Sequence, residues 1–259
     1  MIIDTHVHLD DKRYDEDLDS VIKRAHENGV RGALIPGADP KDLQKAIDIC
    51  ERYENIYFAV GVHPYHAKEF DIDYLKRFAS HPKCIAVGEC GLDYFRLSKD
   101  DKAKGIEKKL QKDIFIAQIR LAIELKKPLI VHIREASYDS KEILINENAR
   151  EVGGVLHCYN ASEILLELDK YGFYFGIGGV ITFKNAKKLV EILPKIPLQK
   201  IILETDGPYL TPHPHRGERN EPLYTTFVQK RISEILDIEE NKLENIISQN
   251  TNSLFKEFK

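Results

Sequence analysis

Short apolar runs rich in β-branched residues alternate with longer amphipathic stretches along the chain. The runs fall at about residues 2–8, 31–36, 55–62, 84–89, 128–133, 153–158, 172–179 and 200–206. Runs such as Ile56-Tyr57-Phe58-Ala59-Val60 and Pro128-Leu129-Ile130-Val131 have the pattern of parallel strands covered on both faces. Between the runs, helices are predicted around 14–28, 40–53 and 106–127. In the third, Ile106, Leu110, Ile114, Ala117, Leu121 and Leu125 recur at three- and four-residue steps. That spacing predicts one buried stripe with Lys and Gln opposite, and Pro128 stops the helix. The segment after residue 220 reads as terminal helices, with residues 241–247 and Leu254 packing the last turns.

Eight strands separated by helical sequence of crossover length predict an α/β fold, a TIM-type (β/α)8 barrel in a single domain over residues 1–259. His6, His8, His63, Glu89, His132, His157 and Asp206 all fall at or near C-terminal strand ends, the face where such barrels gather catalytic groups.

The 259 residues are 42% hydrophobic and 31% charged, enough to bury a large core. A net charge of −4 argues against coating DNA through a broad basic surface, so any contact with nucleic acid must be local. No basic leader precedes an apolar run and no long apolar stretch occurs, so a cytoplasmic protein without a membrane partner is expected. Cys50, Cys84, Cys90 and Cys158 lack C-x-x-C spacing and read as small buried hydrophobes.

In His6-Val7-His8, an extended chain projects both imidazoles from one face, so one cation can take both. Glu89 lies between glycines in a buried run, where an uncompensated carboxylate is costly; its neighbour Cys90 faces the other way. His132, His157 and Asp206 end three further runs. Each alone reads equally as a hydrogen-bonded core histidine or a turn residue, but together they read as one cation site. Nitrogen and oxygen donors without thiolate suit zinc, manganese or magnesium. Six ligands exceed the three of an open mononuclear site, so two divalent cations sharing a carboxylate are expected, with an anionic phosphodiester as a fitting substrate.

At these residues the chain resembles the TatD family of metal-dependent deoxyribonucleases, among the amidohydrolase-like barrels. The motifs are Ile3-Asp4-Thr5-His6-Val7-His8, Gly61-Val62-His63-Pro64, Gly88-Glu89-Cys90-Gly91-Leu92-Asp93-Tyr94, Val131-His132-Ile133-Arg134, His157-Cys158-Tyr159 and Leu203-Glu204-Thr205-Asp206-Gly207-Pro208. The resemblance implies that His6, His8, Glu89 and Asp206 hold one cation and Glu89, His132 and His157 the other. It also implies metal-supported, commonly exonucleolytic hydrolysis of DNA. The chain departs from the family pattern at Asn160 and Ala161, where a serine and a glycine are usual, and at Glu218, where a lysine is usual.

The expected reaction is attack of metal-activated water on phosphorus, with Glu89 as shared ligand and Asp206 as ligand and proton acceptor. His63 either contacts the scissile phosphate and leaving oxygen or simply forms a His–Pro turn. Arg134 either clamps phosphate or pairs with a helix carboxylate. Tyr94 and Tyr159 are candidates for stacking on bases. Arg216 and Arg219 are candidates for gripping the DNA backbone, weakened if Glu218 diverts them. His213 and His215 read as exposed loop residues, and His26, His66 and His81 lack ligand-like context. The expected partner is single-stranded or frayed DNA, met by a monomer. Two other readings stand beside this one: a small-molecule amidohydrolase or phosphoesterase of the same barrel class, and a partner-binding scaffold without turnover.

Overall fold

The computed structural model describes residues 1–258. The eight apolar runs form β1 (Ile2–Asp4), β2 (Val30–Ile35), β3 (Ile56–Val60), β4 (Cys84–Asp93), β5 (Leu129–Arg134), β6 (Gly154–Leu156), β7 (Phe173–Ile177) and β8 (Ile201–Leu203). They pair in parallel in sequence order. A hydrogen bond from Thr5 N to Leu203 O and a bridge between Val7 and Gly207 join the last strand to the first. The barrel interior is filled by Ile3, Leu34, Ala59, Ala86, Ile130, Val155 and Ile202, with Phe255 and Phe258 packed against them. Outward residues such as Ile35, Val60, Val87, Leu129 and Leu203 pack into a second layer beneath the helices.

The helices are α1 (Leu18–Glu27), α2 (Leu43–Arg52), α3 (Ile72–Ala79), α4 (Asp101–Leu125), α5 (Ser137–Asn146), α6 (Lys187–Ile192), α7 (Thr225–Leu236) and α8 (Glu240–Leu254). Short polar side chains start several of them: Asp71 accepts from Asp73 N and Tyr74 N ahead of α3, and Asp100 accepts from Ala103 N in α4. Among the described residues no helix is long and apolar enough to cross a membrane. All four cysteines are free, and Cys50, Cys84 and Cys90 are buried.

The periodicity of α4 predicts its buried face in part: Ile114 and Leu121 are buried and Leu110, Ala117 and Leu125 half-buried, whereas Ile106 lies outside and two glutamines lie inside. Ile106 is 63% exposed, and the buried positions are Gln111, Ile114, Phe115, Gln118, Ile119, Leu121 and Ala122. Two glutamines point inward because they replace missing backbone partners. Gln118 accepts from Val62 N at 2.7 Å and donates to Val62 O at 3.1 Å, just where β3 has ended. Gln111 does the same for Asp93, at 2.9 and 3.0 Å. A hydrophobic periodicity treats glutamine as surface and misses this.

The fourth strand also runs past the predicted end at Glu89, because Cys90 to Asp93 continue pairing with Val131 to Arg134. Between Val87 and Cys90 the register slips by one residue. That bulge keeps both Val87 and Cys90 in the outer layer and turns Glu89 into the barrel mouth. Gly88 permits it: its φ is +153°, and a Cβ there would lie 2.6 Å from Ile130 Cβ.

Gln118→Leu should lower the unfolding free energy by roughly 2–4 kcal/mol, because it strands a buried N–H and a buried carbonyl of Val62. Urea unfolding followed by circular dichroism measures this; a loss below ~0.5 kcal/mol would mean water substitutes for the amide.

Candidate metal centre

Each strand end delivers its side chain for a local reason. Beyond β1 the chain stays extended and held, with Val7 N donating to Leu34 O and His8 N to Gly207 O, so His6 and His8 face the barrel mouth while Val7 joins the outer core. His132 alternates inward on β5 after outward Val131. Asp206 takes a left-handed turn at φ +58° and donates its N–H to His6 O at 2.9 Å, which ties the end of β8 to β1.

Glu89 lies at the middle. Its carboxylate oxygens are 3.3 Å from His6 Nε2, 3.9 Å from His8 Nε2, 3.6 Å from His63 Nε2, 2.9 Å from His132 Nδ1 and 3.8 Å from His157 Nε2. Asp206 Oδ1 is 3.8 Å from His6 Nε2, 3.6 Å from His8 Nε2 and 3.9 Å from His157 Nε2. The rings of His6 and His157 stack at 3.4 Å. Four donor groups among the described residues are compact enough for a cation: His6, His8 and Asp206; His6, Glu89 and His157; His63, Asp93 and His132; and, away from Glu89, Asp39, His66 and Glu69, which gives His66 the ligand-like context its sequence neighbours did not show.

The residues present fit divalent cations. Both ring nitrogens of His6 are buried without a hydrogen-bond partner, an expensive state for groups that a cation would satisfy. The donor set is imidazole and carboxylate with no thiolate.

The charges are mutually compensating. Burial would raise the Glu89 pKa, but His63, His6 and the His132 hydrogen bond outweigh it and hold the carboxyl well below its usual range. Burial opposes protonation of His8, yet the hydrogen bond to Asp206 and the charge of Glu89 raise it to about 9. Burial likewise opposes protonation of His157, but Glu204 and Glu89 raise it to about 10. His63 goes the other way, pushed down to about 3 by burial and by His132 despite the pull of Glu89.

Three carboxylates around this centre escape the sequence reading. Glu204 is buried 3.1 Å from His157 Nδ1 and accepts from Cys158 N at 2.7 Å. Asp93 stands 3.1 Å from His132 Nε2. Asp4 accepts from Thr205 N and Thr205 Oγ1 at 2.9 and 2.6 Å, bracing the turn that carries Asp206. Strand alternation beyond Gly91 was the available signal for Asp93; Glu204 and Asp4 had only their place beside stronger candidates.

Above the centre opens a cavity of about 890 Å³, lined among others by His8, His63, Glu89, His132, Arg134, His157 and Asp206. His63 forms the turn, since Nδ1 accepts from Tyr65 N at 3.1 Å, and its Nε2 is left facing Glu89 at 3.6 Å. Arg134 lines the cavity, lies 3.8 Å over the Phe95 ring and has no carboxylate partner among the described residues.

Other expected substrate contacts are placed differently. Tyr94 turns its hydroxyl to Asp139 at 2.7 Å and lies under Lys108. Tyr159 is buried edge-on against Phe175 with its hydroxyl on Ser162 O, and it forms part of the cavity wall. Arg219 is spent on Asp17 and Glu221 and caps Tyr14. Arg216 bonds Thr211 O and lies over Phe183. Glu218 diverts neither arginine; it pairs with His215 at 3.1 Å and accepts from Tyr224. His215 is half-buried and stacked on Tyr224, and His66 sits 3.6 Å from Asp39 rather than alone. Asn160 bonds Ile133 O, and Ala161 holds a φ of +59°, where the family's usual glycine avoids a strain of roughly 1–2 kcal/mol.

A family model described as "TatD related DNase" matches residues 3–256. The chain belongs to this family. The "Uncharacterized metal-dependent hydrolase YabD" of Bacillus subtilis (strain 168) is 41% identical over 260 residues, covering 99% of each chain. The "3'-5' ssDNA/RNA exonuclease TatD" of Shigella flexneri serotype 5b is 32% identical over 242 residues, 90% of each. The crystal structure of YJJV, a TatD homolog from Escherichia coli K12, superposes with a TM-score of 0.89 at 26% identity and 98% coverage of both chains. TatD membership makes the chain a metal-dependent hydrolase, with ester bonds as the class of bond cleaved.

If His8 and His157 are metal ligands, metal uptake must release protons. In the metal-free TatD protein their pKa values near 9 and 10 keep both protonated at neutral pH, whereas ligation requires the neutral ring. Apparent metal affinity should therefore rise with pH up to about those values. Calorimetry in buffers of different ionisation enthalpy reads the proton count; stoichiometric uptake without release would remove these two ligands.

Proposed function

We propose that this chain hydrolyses phosphodiester bonds of single-stranded DNA from an end, using two divalent cations. The observation that carries the reading is the Glu89 carboxylate, buried among five imidazoles at the mouth of the barrel with Asp206 beside them. In this reading Glu89 would be shared, with His6, His8 and Asp206 completing one cation site and His132 and His157 the other; His63 and Asp93 lie close enough to His132 to take part as well. Bound there, divalent cations supply Lewis-acid polarisation of a phosphoryl oxygen and a water of lowered pKa.

The protein's own groups then do the following. Asp206, which His8 and His157 hold ionised against burial in the metal-free protein and the cations would hold ionised in their place, accepts the proton of the attacking water. His63 stays neutral and, with Nδ1 occupied by Tyr65 N, presents an Nε2–H that can donate to the phosphate or the departing oxygen. Glu204 and Asp93 orient His157 and His132 through the ring nitrogens turned away from Glu89.

Two observations support nucleic acid cleaved from an end. The Shigella flexneri relative is named as a single-stranded DNA and RNA exonuclease. The cavity is also electrically lopsided: Asp10, Asp11, Asp39 and Asp42 line it beyond β1 and β2, while Arg96 and Arg134 line it beyond β4 and β5. A polyanion is repelled from the acidic side, so a strand that terminates in the cavity fits better than one passing through.

End-labelled linear single-stranded DNA should be shortened in the presence of manganese, magnesium or zinc, with no reaction under chelator, while circular single-stranded DNA of the same sequence resists. Efficient nicking of the circle would overturn the end-directed mode, and cleavage of small esters or amides but of no oligonucleotide would favour a small-molecule hydrolase. Asp206→Asn should lower turnover at least ~100-fold with DNA binding largely kept. Metal content is measured in the same sample, and near-normal turnover of the fully loaded variant removes the proton-accepting role.

A further inference from the structure

Two exposed aromatic rings stand on the basic side of the cavity: Tyr65 lines it, and Phe95 adjoins it through Arg134, which lines it. Tyr65, 42% exposed, follows β3 and meets the His63 ring at 4.6 Å. Phe95, 52% exposed, follows β4 and is fixed by its N–H to Asp93 Oδ1 at 2.9 Å. Each carries a guanidinium: Arg96 lies 4.9 Å over Tyr65, and Arg134 lies 3.8 Å over Phe95. Among the described residues neither arginine has a salt-bridge partner, unlike Arg219 or Arg24. Tyr65 and Arg96 also form the partition to an adjoining cavity of about 240 Å³, whose other lining includes Pro64, Ala67, Leu97 and Leu110.

The geometry points to a nucleotide track for single-stranded DNA, built by Tyr65, Phe95, Arg96 and Arg134, that leads the strand from the metal centre over the β4–β5 rim. It rests on the nuclease reading above and adds the path of the strand. Unpaired guanidinium groups bind phosphate, and exposed ring faces and guanidinium planes stack bases without regard to sequence. The phosphate next to the scissile one meets Arg134, its base lies on the Phe95–Arg134 pair, and the following base reaches the smaller cavity past Tyr65 and Arg96, where Leu97 and Leu110 offer apolar surface and Glu107 and Gln111 polar groups. The acidic β1–β2 side, where Asp39 and Asp42 line the cavity without a lysine or arginine partner among the described residues while Asp11 is paired with Arg13, disfavours the alternative path. Continuity with the centre runs through touching rings, from His132 to His63 at 4.4 Å and from His63 to Tyr65.

The test pairs binding with two substrates. Affinity of the metal-loaded enzyme for a fluorescent phosphorothioate-linked oligothymidylate of about ten nucleotides is measured by anisotropy across a salt series. Turnover is measured on linear oligothymidylate and on the p-nitrophenyl ester of thymidine 5'-monophosphate, which is too short to use the track. Phe95→Ala should weaken oligonucleotide affinity about fivefold to a hundredfold, and Phe95→Trp should restore it. Arg96→Gln and Arg134→Gln should each flatten the log–log salt slope by about 0.7. For Phe95→Ala the loss of kcat/KM on the oligonucleotide should exceed the loss on the mononucleotide ester at least about fivefold. Wild-type binding that is unaltered in all these variants overturns the track while leaving the nuclease reading intact. So does an equal loss on both substrates, which would indicate a disturbed centre. A loaded wild-type enzyme that neither binds nor cuts the oligonucleotide overturns the track and the nuclease reading together.

Discussion

A carboxylate taken out of water must be compensated or it will not stay ionised, and the whole mouth of this barrel is arranged around that demand at Glu89. Burial alone would neutralise it; His6, His63, His132 and His157 prevent this. Those imidazoles need neighbours in turn, so Glu204 stands behind His157 and Asp93 behind His132. The result is a shell of alternating basic and acidic groups in which removal of any one member leaves a partner exposed to the full desolvation penalty. A cation enters such a shell in place of protons, which is why metal affinity and acidity cannot be separated here.

The eight strands were legible because a parallel barrel strand is apolar on both faces, and the candidate ligands were legible because they interrupt those apolar runs at one end. His132 after Val131 and Asp206 before Gly207 are conspicuous for that reason. What stayed hidden is polarity serving structure. Gln111 and Gln118 look like surface residues of α4 until Asp93 and Val62 are seen to lack backbone partners. Asp93 itself was lost by ending the fourth run at Glu89, although Gly88 marks a bulge and Gly91 a close approach to His132 within a continuing strand. Arg219 was placed by the opposite reasoning: a basic residue beyond the last strand suggests a phosphate contact, but Asp17 and Glu221, one of them far away in sequence, claim it.

The charge of the chain as a whole says little about its substrate. An excess of four negative charges is compatible with polyanion binding when the cavity divides its charges, aspartates beyond β1 and β2 and arginines beyond β4 and β5. In a barrel of eight strands taken in order, the ends of β1 and β5 lie across the axis from each other, so chain order alone generates an electric gradient over the centre. The field is a property of topology as much as of composition.

The two glutamine clamps make α4 a ruler. Gln111 and Gln118 are seven residues apart, close to two helical turns, so both face the barrel at once. One residue inserted between them would rotate one clamp by about 100° and free either Val62 or Asp93. Length changes in this helix are therefore tolerable only before Gln111, in the solvated first turns around Ile106, and descendants of this sequence can lengthen or shorten α4 at that end while its interior keeps a fixed count.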